Sequence, residues 1–162
     1  MTSLGHATRL VGALLGAVLL LTPALPAIAA PISLQLHSKN PITWQPEPLG
    51  GRADLWLDPA SGDFRLSATG LQPHRLYGLI CHNNQGRTSR GYWLASARSD
   101  AAGNLQLDGR WHLWQAKVWL VPADDLTGQP GDDQPDGLWR WRPQDYLFEN
   151  RLLPMEILTD PR

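Results

Sequence analysis

Short runs in which apolar and polar residues alternate recur along most of this 162-residue chain. Between Phe64 and Thr69, for example, the apolar residues 64, 66 and 68 alternate with the polar residues 65, 67 and 69. An alternation with a period of two predicts a β-strand with one buried face. The spacing that indicates an amphipathic helix is nearly absent after residue 30, and fourteen prolines and fifteen glycines punctuate the chain. The pattern therefore predicts an all-β protein.

The alternating and apolar runs also place the predicted strands along the chain. We expect them at residues 33–37, 52–57, 64–69, 76–82, 92–98, 105–107, 116–121, 146–148 and 152–158. About eight short strands separated by turns are typical of a single antiparallel β-sandwich of immunoglobulin-like size. We assign this domain to residues 52–162, and residues 30–51 to an extended, proline-rich N-terminal segment that contains the first predicted strand.

Residues 1–29 have the composition of a signal peptide. Arg9 precedes an uncharged apolar run from Leu10 to Leu21, and Ala27-Ile28-Ala29 provides the small residues that signal peptidase requires. We therefore expect an exported protein, periplasmic or extracellular, whose mature chain begins near Ala30. An uncleaved anchor is the alternative, because residues 10–29 are about long enough to span a bilayer.

The balance of charges disfavours two classes of partner. One of the fourteen basic residues, Arg9, belongs to the leader, so thirteen basic residues remain against fifteen acidic ones, a net charge of −2. Nucleic acid requires a basic face, and an anionic membrane surface requires a polybasic cluster. We expect no nucleic-acid partner and, after signal cleavage, no membrane association. The single cysteine, Cys81, cannot form an intrachain disulfide, and its apolar strand predicts a buried, inert thiol.

Eight tryptophans in a small domain raise the question of which rings face solvent. In the segment ADLWLD, residues 53, 55 and 57 share one face, which leaves Trp56 among carboxylates on the other. In LWRWRP, Trp139 and Trp141 share a face, whereas Trp119 lies in a strand too apolar to be exposed. Exposed indole rings stack on sugar rings, so Trp56, Trp139 and Trp141 are the candidate ligand-binding residues. Core packing is the competing interpretation, because tryptophan is highly buried on average.

The loop ADDLTGQPGDDQPDG carries a cluster of carboxylates. Calcium binds several carboxylate and carbonyl oxygens around one centre, and glycine and proline can bend a loop to present them. The candidate calcium ligands are Asp124, Asp125, Asp132, Asp133 and Asp136. The spacing does not match an EF-hand, and the same composition is typical of a solvated loop, which is the interpretation that we favour.

Catalytic motifs that depend on local spacing are missing from the sequence. It contains no Gly-x-Ser-x-Gly elbow, no Gly-Lys-Ser/Thr loop, no His-Glu-x-x-His and no Cys-x-x-Cys. The sequence therefore favours a non-catalytic binding or structural module without a cofactor. It does not identify the partner, for which a glycan and another exported protein are the two candidates. A carbohydrate-binding module is one alternative. A hydrolase whose carboxylates meet only in the fold is another, because the spacing of such a pair along the chain is not fixed.

Two segments carry a resemblance to a known family. KVWLV at residues 117–121, followed after a loop by WRPQDYLFE at residues 141–149, resembles an uncharacterised β-domain of exported bacterial and archaeal proteins. Upstream, YGLIC at residues 77–81 and DAAGNLQL at residues 100–107 are similar in kind to other strands of that domain. The family has no known activity, so the resemblance implies a compact exported β-domain and no particular chemistry.

Overall fold

The computed structural model describes residues 30–82, 90–132, 136–153 and 157–158. The expected signal peptide, residues 1–29, lies outside the described residues. The strands are β1 (Ile32–Ser38), β2 (Arg52–Leu57), β3 (Asp63–Thr69), β4 (Leu76–His82), β5 (Arg90–Arg98), β6 (Leu105–Arg110), β7 (Leu113–Trp114), β8 (Lys117–Pro122), β9 (Asp136–Gly137), β10 (Leu147–Glu149) and β11 (Ile157–Leu158). Two 3₁₀ turns, Ala123–Asp125 and Pro143–Asp145, precede β9 and β10 respectively. Neither they nor any other helix in the described ranges has the length and hydrophobicity that crossing a bilayer requires.

Nine of the strands form one antiparallel sheet in the order β6-β3-β2-β1-β10-β8-β4-β5-β9, and β7 pairs separately with β11. The hairpin of β2 and β3 has the predicted register, with Leu55 opposite Leu66 on the buried face. The strand expected at residues 33–37 is present as β1. It lies in the middle of the sheet, between β2 and β10, so the N-terminal segment belongs to the same sheet as the residues after the boundary expected at residue 52.

The sheet curls until its two sides nearly meet. β5 lies close to β6, although the two strands stand near opposite ends of the sheet order, and no hydrogen-bonded ladder joins them. The all-β prediction is thus confirmed, and the architecture is one almost closed, barrel-shaped sheet. A sandwich of two separate sheets is not confirmed, because β1 and β10 connect the two halves by backbone hydrogen bonds. Sandwiches and barrels share the same alternation of buried and exposed residues, so the pattern alone does not distinguish them.

The inside of the barrel is filled by the buried face of each strand. Alternate residues of β2 and β3 point inward, and Phe64 packs edge-on against Trp114 with the ring centroids 5.3 Å apart. Cys81 is buried in this core, as predicted, and burial raises the pKa of its thiol to about 12. The largest inward-facing side chains with almost no exposure are Leu36, Leu55, Leu57, Phe64, Leu66, Tyr77, Leu79, Trp114, Leu120 and Leu147.

The outer face of β4, β8 and β10 is buried as well, by a second apolar layer. In β8, Val118 and Leu120 belong to the inner core, whereas Trp119 and Val121 belong to a separate cluster with Tyr146. Leu126 and Leu138 of the long connection that follows β8 complete that cluster, so the connection lies across the outer face of the sheet. This double burial explains why the segment that contains β8 is apolar without alternation.

Candidate functional site

The loop that follows β1 holds Trp44 in an unusual backbone conformation. The side-chain oxygen of Asn40 accepts hydrogen bonds from the backbone N–H groups of Ile42 and Thr43, at 2.9 and 3.1 Å. The N–H of Trp44 donates to the Asn40 carbonyl oxygen at 2.8 Å. Trp44 has a φ of 58°, in the left-handed region that residues other than glycine rarely adopt. These bonds fix the loop in the conformation that presents the Trp44 indole beside β10.

Four aromatic rings surround a concave site, which we call the aromatic cleft: Trp44, Trp119, Trp141 and Phe148. The centroid of the Trp141 ring is 6.2 Å from that of Trp44 and 5.7 Å from that of Trp119. Phe148 lies edge-on to Trp44 at 5.5 Å and to Trp119 at 5.1 Å. Trp119 is 5% exposed, as its apolar strand predicted, whereas Trp44 and Trp141 are 47% and 49% exposed. The cleft has a volume of about 370 Å³, which is within the range of small-molecule sites.

Three residues add charge to the lining of the aromatic cleft: Lys39, Lys117 and Glu149. The Lys39 ammonium lies 5.6 Å from the centroid of Phe148, and the Lys117 ammonium lies 5.8 Å from the centroid of Trp119. Lys39 also donates a long hydrogen bond, 3.4 Å, to the backbone carbonyl of Glu149. Within the described ranges, no carboxylate lies close enough to either lysine for an ion pair.

Glu149 is a buried carboxylic acid at the edge of this site. Desolvation raises its pKa, and this effect outweighs the opposing influence of its own N–H, of Lys39 and Lys117, and of the Val118 N–H. Its Oε2 atom has no hydrogen-bond partner among the described residues. A buried carboxyl group whose charged form is disfavoured is weakly acidic, and it can donate a hydrogen bond when protonated.

His82 lies outside the aromatic cleft and packs against Trp119, which forms the buried wall of the cleft. Its ring packs edge-on against Trp119, with the centroids 4.1 Å apart, and the side chain has no exposed surface. Burial, aided by the charge of Lys117, lowers the pKa of His82 from 6.5 to about 4. Neither ring nitrogen has a hydrogen-bond partner in the described part of the chain. The imidazole is therefore neutral at neutral pH and acts as a packing group beneath Trp119.

An ion-pair network holds the segment that carries Trp141. The fully buried carboxylate of Asp125 accepts hydrogen bonds from Arg142 Nε at 2.9 Å, from Arg142 Nη2 at 2.6 Å and from the Tyr146 hydroxyl at 3.0 Å. The Tyr146 hydroxyl accepts in turn from the backbone N–H of Arg142 at 3.1 Å. Trp141, directly before Arg142, packs edge-on against Tyr146 at 5.5 Å. A charge-assisted fork of this kind fixes the backbone on which the exposed indole is mounted.

The structure separates the three tryptophans that the sequence proposed as ligand-binding residues. Trp141 lines the aromatic cleft, whereas Trp139 is exposed outside its lining and stacks with Arg140 at 4.3 Å. Trp56 projects from the outer face of β2, as the alternation predicted, and lines a different depression together with Arg65. Only Trp141 of the three thus joins the other aromatic rings.

Several residues of the cleft were missed from the sequence. Trp44 and Lys39 lie in a proline-rich connection without periodicity, so no pattern assigned a face to them. Phe148 and Glu149 belong to the segment WRPQDYLFE, whose resemblance to a known domain does not indicate a site. The available signal was the combination of an isolated Trp with a neighbouring Lys at one end of a predicted strand.

Two of the five aspartates proposed for calcium have basic partners. Asp124 pairs with Arg75 at 3.1 Å and with Arg142 at 2.8 Å, and Asp125 accepts the fork described above. The other three are placed as follows: Asp132 is exposed, Asp133 lies outside the described residues, and Asp136 is in β9 with its side chain outside the description. No group of three or more His, Cys, Asp or Glu side chains within the described ranges is placed to hold a metal ion. Calcium binding by this loop stays a prediction.

Comparison with protein-family models, with curated proteins and with solved structures finds no match for the chain. The resemblance to an exported β-domain therefore stays a prediction.

Proposed function

We propose that this protein is a non-catalytic binding module that holds a carbohydrate in the aromatic cleft. The observation that supports the proposal is the meeting of Trp44, Trp119 and Trp141 around one concavity, with two of the three rings half exposed. Sugar rings present C–H groups on one face and hydroxyls at the rim. Indole rings pack against the C–H groups, and the few polar groups of the cleft can form hydrogen bonds with the hydroxyls.

The conformation of Trp44 argues against core packing as the purpose of these rings. A non-glycine residue in the left-handed region costs on the order of 1 kcal/mol, and such strain persists where the surrounding structure imposes it. A loop that served only to cover the sheet would gain more by burying the Trp44 indole than by leaving it half exposed. Functional sites are where strained residues cluster, so the strain supports a binding role.

The proposal includes export of the protein. The composition of residues 1–29 supports cleavage near Ala30 and a periplasmic or extracellular location. N-terminal sequencing of the protein recovered from the periplasm or the medium tests this part. A chain that begins near Ala30 is expected, and a retained leader would contradict it.

A second candidate is binding of another exported protein. Ile42 is almost fully exposed in the same loop as Trp44, and Leu49 is exposed nearby in the chain. Apolar side chains that are held out on a loop beside aromatic rings are also typical of protein interfaces. A hydrolase has less support, because Glu149 is the one carboxylic acid in the described lining of the cleft, and glycosidases use a pair.

The test measures tryptophan fluorescence of the exported protein during titration with a panel of oligosaccharides. Ligand binding should shield the exposed rings from iodide. Trp44→Ala and Trp141→Ala should each weaken binding at least about tenfold, since aromatic anchors dominate such sites. Trp56→Ala is the matched control, because Trp56 is exposed outside the cleft, and it should bind like the parent.

Two outcomes would overturn the assignment of carbohydrate binding to the aromatic cleft. Equal effects of Trp56→Ala and Trp141→Ala would show that the aromatic cleft is not the site. Failure of every oligosaccharide to bind the folded protein, combined with retention of another exported protein that depends on Trp44 and Trp141, would favour the second candidate.

A further inference from the structure

The chain has two lysines, and both line the aromatic cleft. Lys39 and Lys117 are the only lysines in the sequence, and every other basic residue apart from histidine is an arginine. β10 lies between β1 and β8 in the sheet, so Lys39, just after β1, and Lys117, at the start of β8, stand on either side of Phe148 and Glu149. Two cations have thus been brought to one small site from distant parts of the chain.

The charge of this site differs from that of the whole protein. The chain after the leader carries a formal net charge of −2, whereas the described lining of the cleft has two ammonium groups and one carboxyl group. The burial of Glu149 disfavours its negative charge. Neither lysine has an ion-pair partner within the described residues, and each ammonium is placed beside an aromatic ring. With two ammonium groups against one carboxyl group whose charged form is disfavoured, the described lining of the cleft carries an excess of positive charge.

We infer that the carbohydrate bound in the aromatic cleft is acidic, and that Lys39 and Lys117 hold its carboxylate; the inference rests on the proposed carbohydrate binding. A uronic acid combines the two features that the cleft matches, a C–H face for the indole rings and an anionic group at the rim. A lysine acts on such a group as a compact point charge with three donors. A neutral sugar would stack equally well on the tryptophans and would leave the excess positive charge of the cleft without a partner.

The experiment uses a matched pair of ligands, trigalacturonate and its methyl ester, which differ in charge and share the sugar backbone. We expect the exported protein to bind the acid about tenfold more tightly than the ester at low salt, because hydrogen bonds to charged groups contribute more than neutral ones. The advantage should shrink as salt screens the charges. Lys39→Gln and Lys117→Gln should each remove most of this preference, because each weakens binding of the acid far more than binding of the ester.

Arg65→Gln is the matched control, since Arg65 stacks on Trp56 in a different depression, and it should keep the preference for the acid. Binding of both ligands with equal affinity, lost in Trp141→Ala and unchanged in the lysine variants, would overturn the inference and leave carbohydrate binding intact. Absence of binding to either ligand by folded protein, together with binding of neutral oligosaccharides from the panel, would overturn it in the same way. Failure of all sugars would overturn both proposals.

Discussion

Acidification should destabilise the folded protein through His82, the imidazole that packs against Trp119. The ring has no exposed surface, and neither nitrogen has a hydrogen-bond partner in the described part of the chain. Burial is the main cause that lowers its pKa from 6.5 to about 4, and the charge of Lys117 adds to it. Protonation within the fold would place an unpaired cation in an apolar layer.

The size and sign of the effect follow from the two pKa values. Between pH 6.5 and about 4, the unfolded chain binds a proton at His82 and the folded chain does not. Stability therefore falls as the pH decreases through this window, and the stabilisation is fully present above it. A shift of this size corresponds to about 3 kcal/mol, a large part of the total stability of an ordinary domain.

The assay is urea denaturation at about pH 7.5 and about pH 4.5, on the parent protein and on His82→Gln, which does not titrate. The parent should lose more free energy of unfolding than the variant, by about 2 to 3 kcal/mol. Other groups that titrate in this range contribute to both proteins, so the difference between the two losses isolates His82. The same loss in parent and variant would refute the assignment of a buried, neutral imidazole.

Three further predictions concern stability. Asp125→Ala should cost about 3 kcal/mol in urea denaturation, because it removes the buried partner of an arginine fork, and a loss below about 1 kcal/mol would contradict the network. Gly103→Ala should lower stability by at least about 1 kcal/mol, since φ is +77° and a Cβ would collide with the Leu71 carbonyl oxygen. Gly131→Ala is the control and should cost less, because Gly131 has a similar φ of +85° but open space around it. Equal decreases of the melting temperature in the two variants would show that the collision contributes nothing. Glu149→Gln should leave stability unchanged below pH 4.5 and raise it at neutral pH. The reason is that burial raises the pKa of the Glu149 carboxyl group in the folded parent, which therefore loses stability as the pH rises above 4.5. A urea denaturation midpoint that is the same in parent and variant at both pH values would contradict this.

The strands were predictable because their residues interact with near neighbours in the chain. β2 and β3 are joined by a short turn, and the alternation of Leu55 and Leu66 with polar residues sets both the face and the register. The position of β1 was not predictable in this way. It pairs with β10, near the other end of the chain, and no local pattern in Ile32–Ser38 identifies such a partner. The near closure of the barrel depends on that pairing.

The aromatic cleft was predictable only in part for the same reason. Trp141 stood out because an unusual cluster of aromatic and basic residues surrounds it in the sequence. Trp44 contributes to the site through a turn held by Asn40, and the ring reaches Trp141 only when β1 and β10 lie side by side. The aspartates of the network that holds Trp141 are visible in the sequence, but no pattern in the sequence pairs them with Arg75 and Arg142. A site whose residues come from distant segments of the chain shows no characteristic spacing in the sequence.

Because both faces of β8 are buried, the contrast between apolar and polar residues cannot set the register of this strand in the sheet. In most strands, a shift of the register by one residue would expose apolar side chains to water, which is unfavourable. In β8 such a shift would exchange apolar residues for apolar residues, with Trp119 entering the space filled by Val118 and Leu120. The shifted register of β8 must then be disfavoured by side-chain volume and not by polarity, because the interior has no room for an indole ring where smaller side chains fit. A smaller side chain at position 119 would therefore weaken the packing and would also reduce the difference in stability between the native register of β8 and the register shifted by one residue.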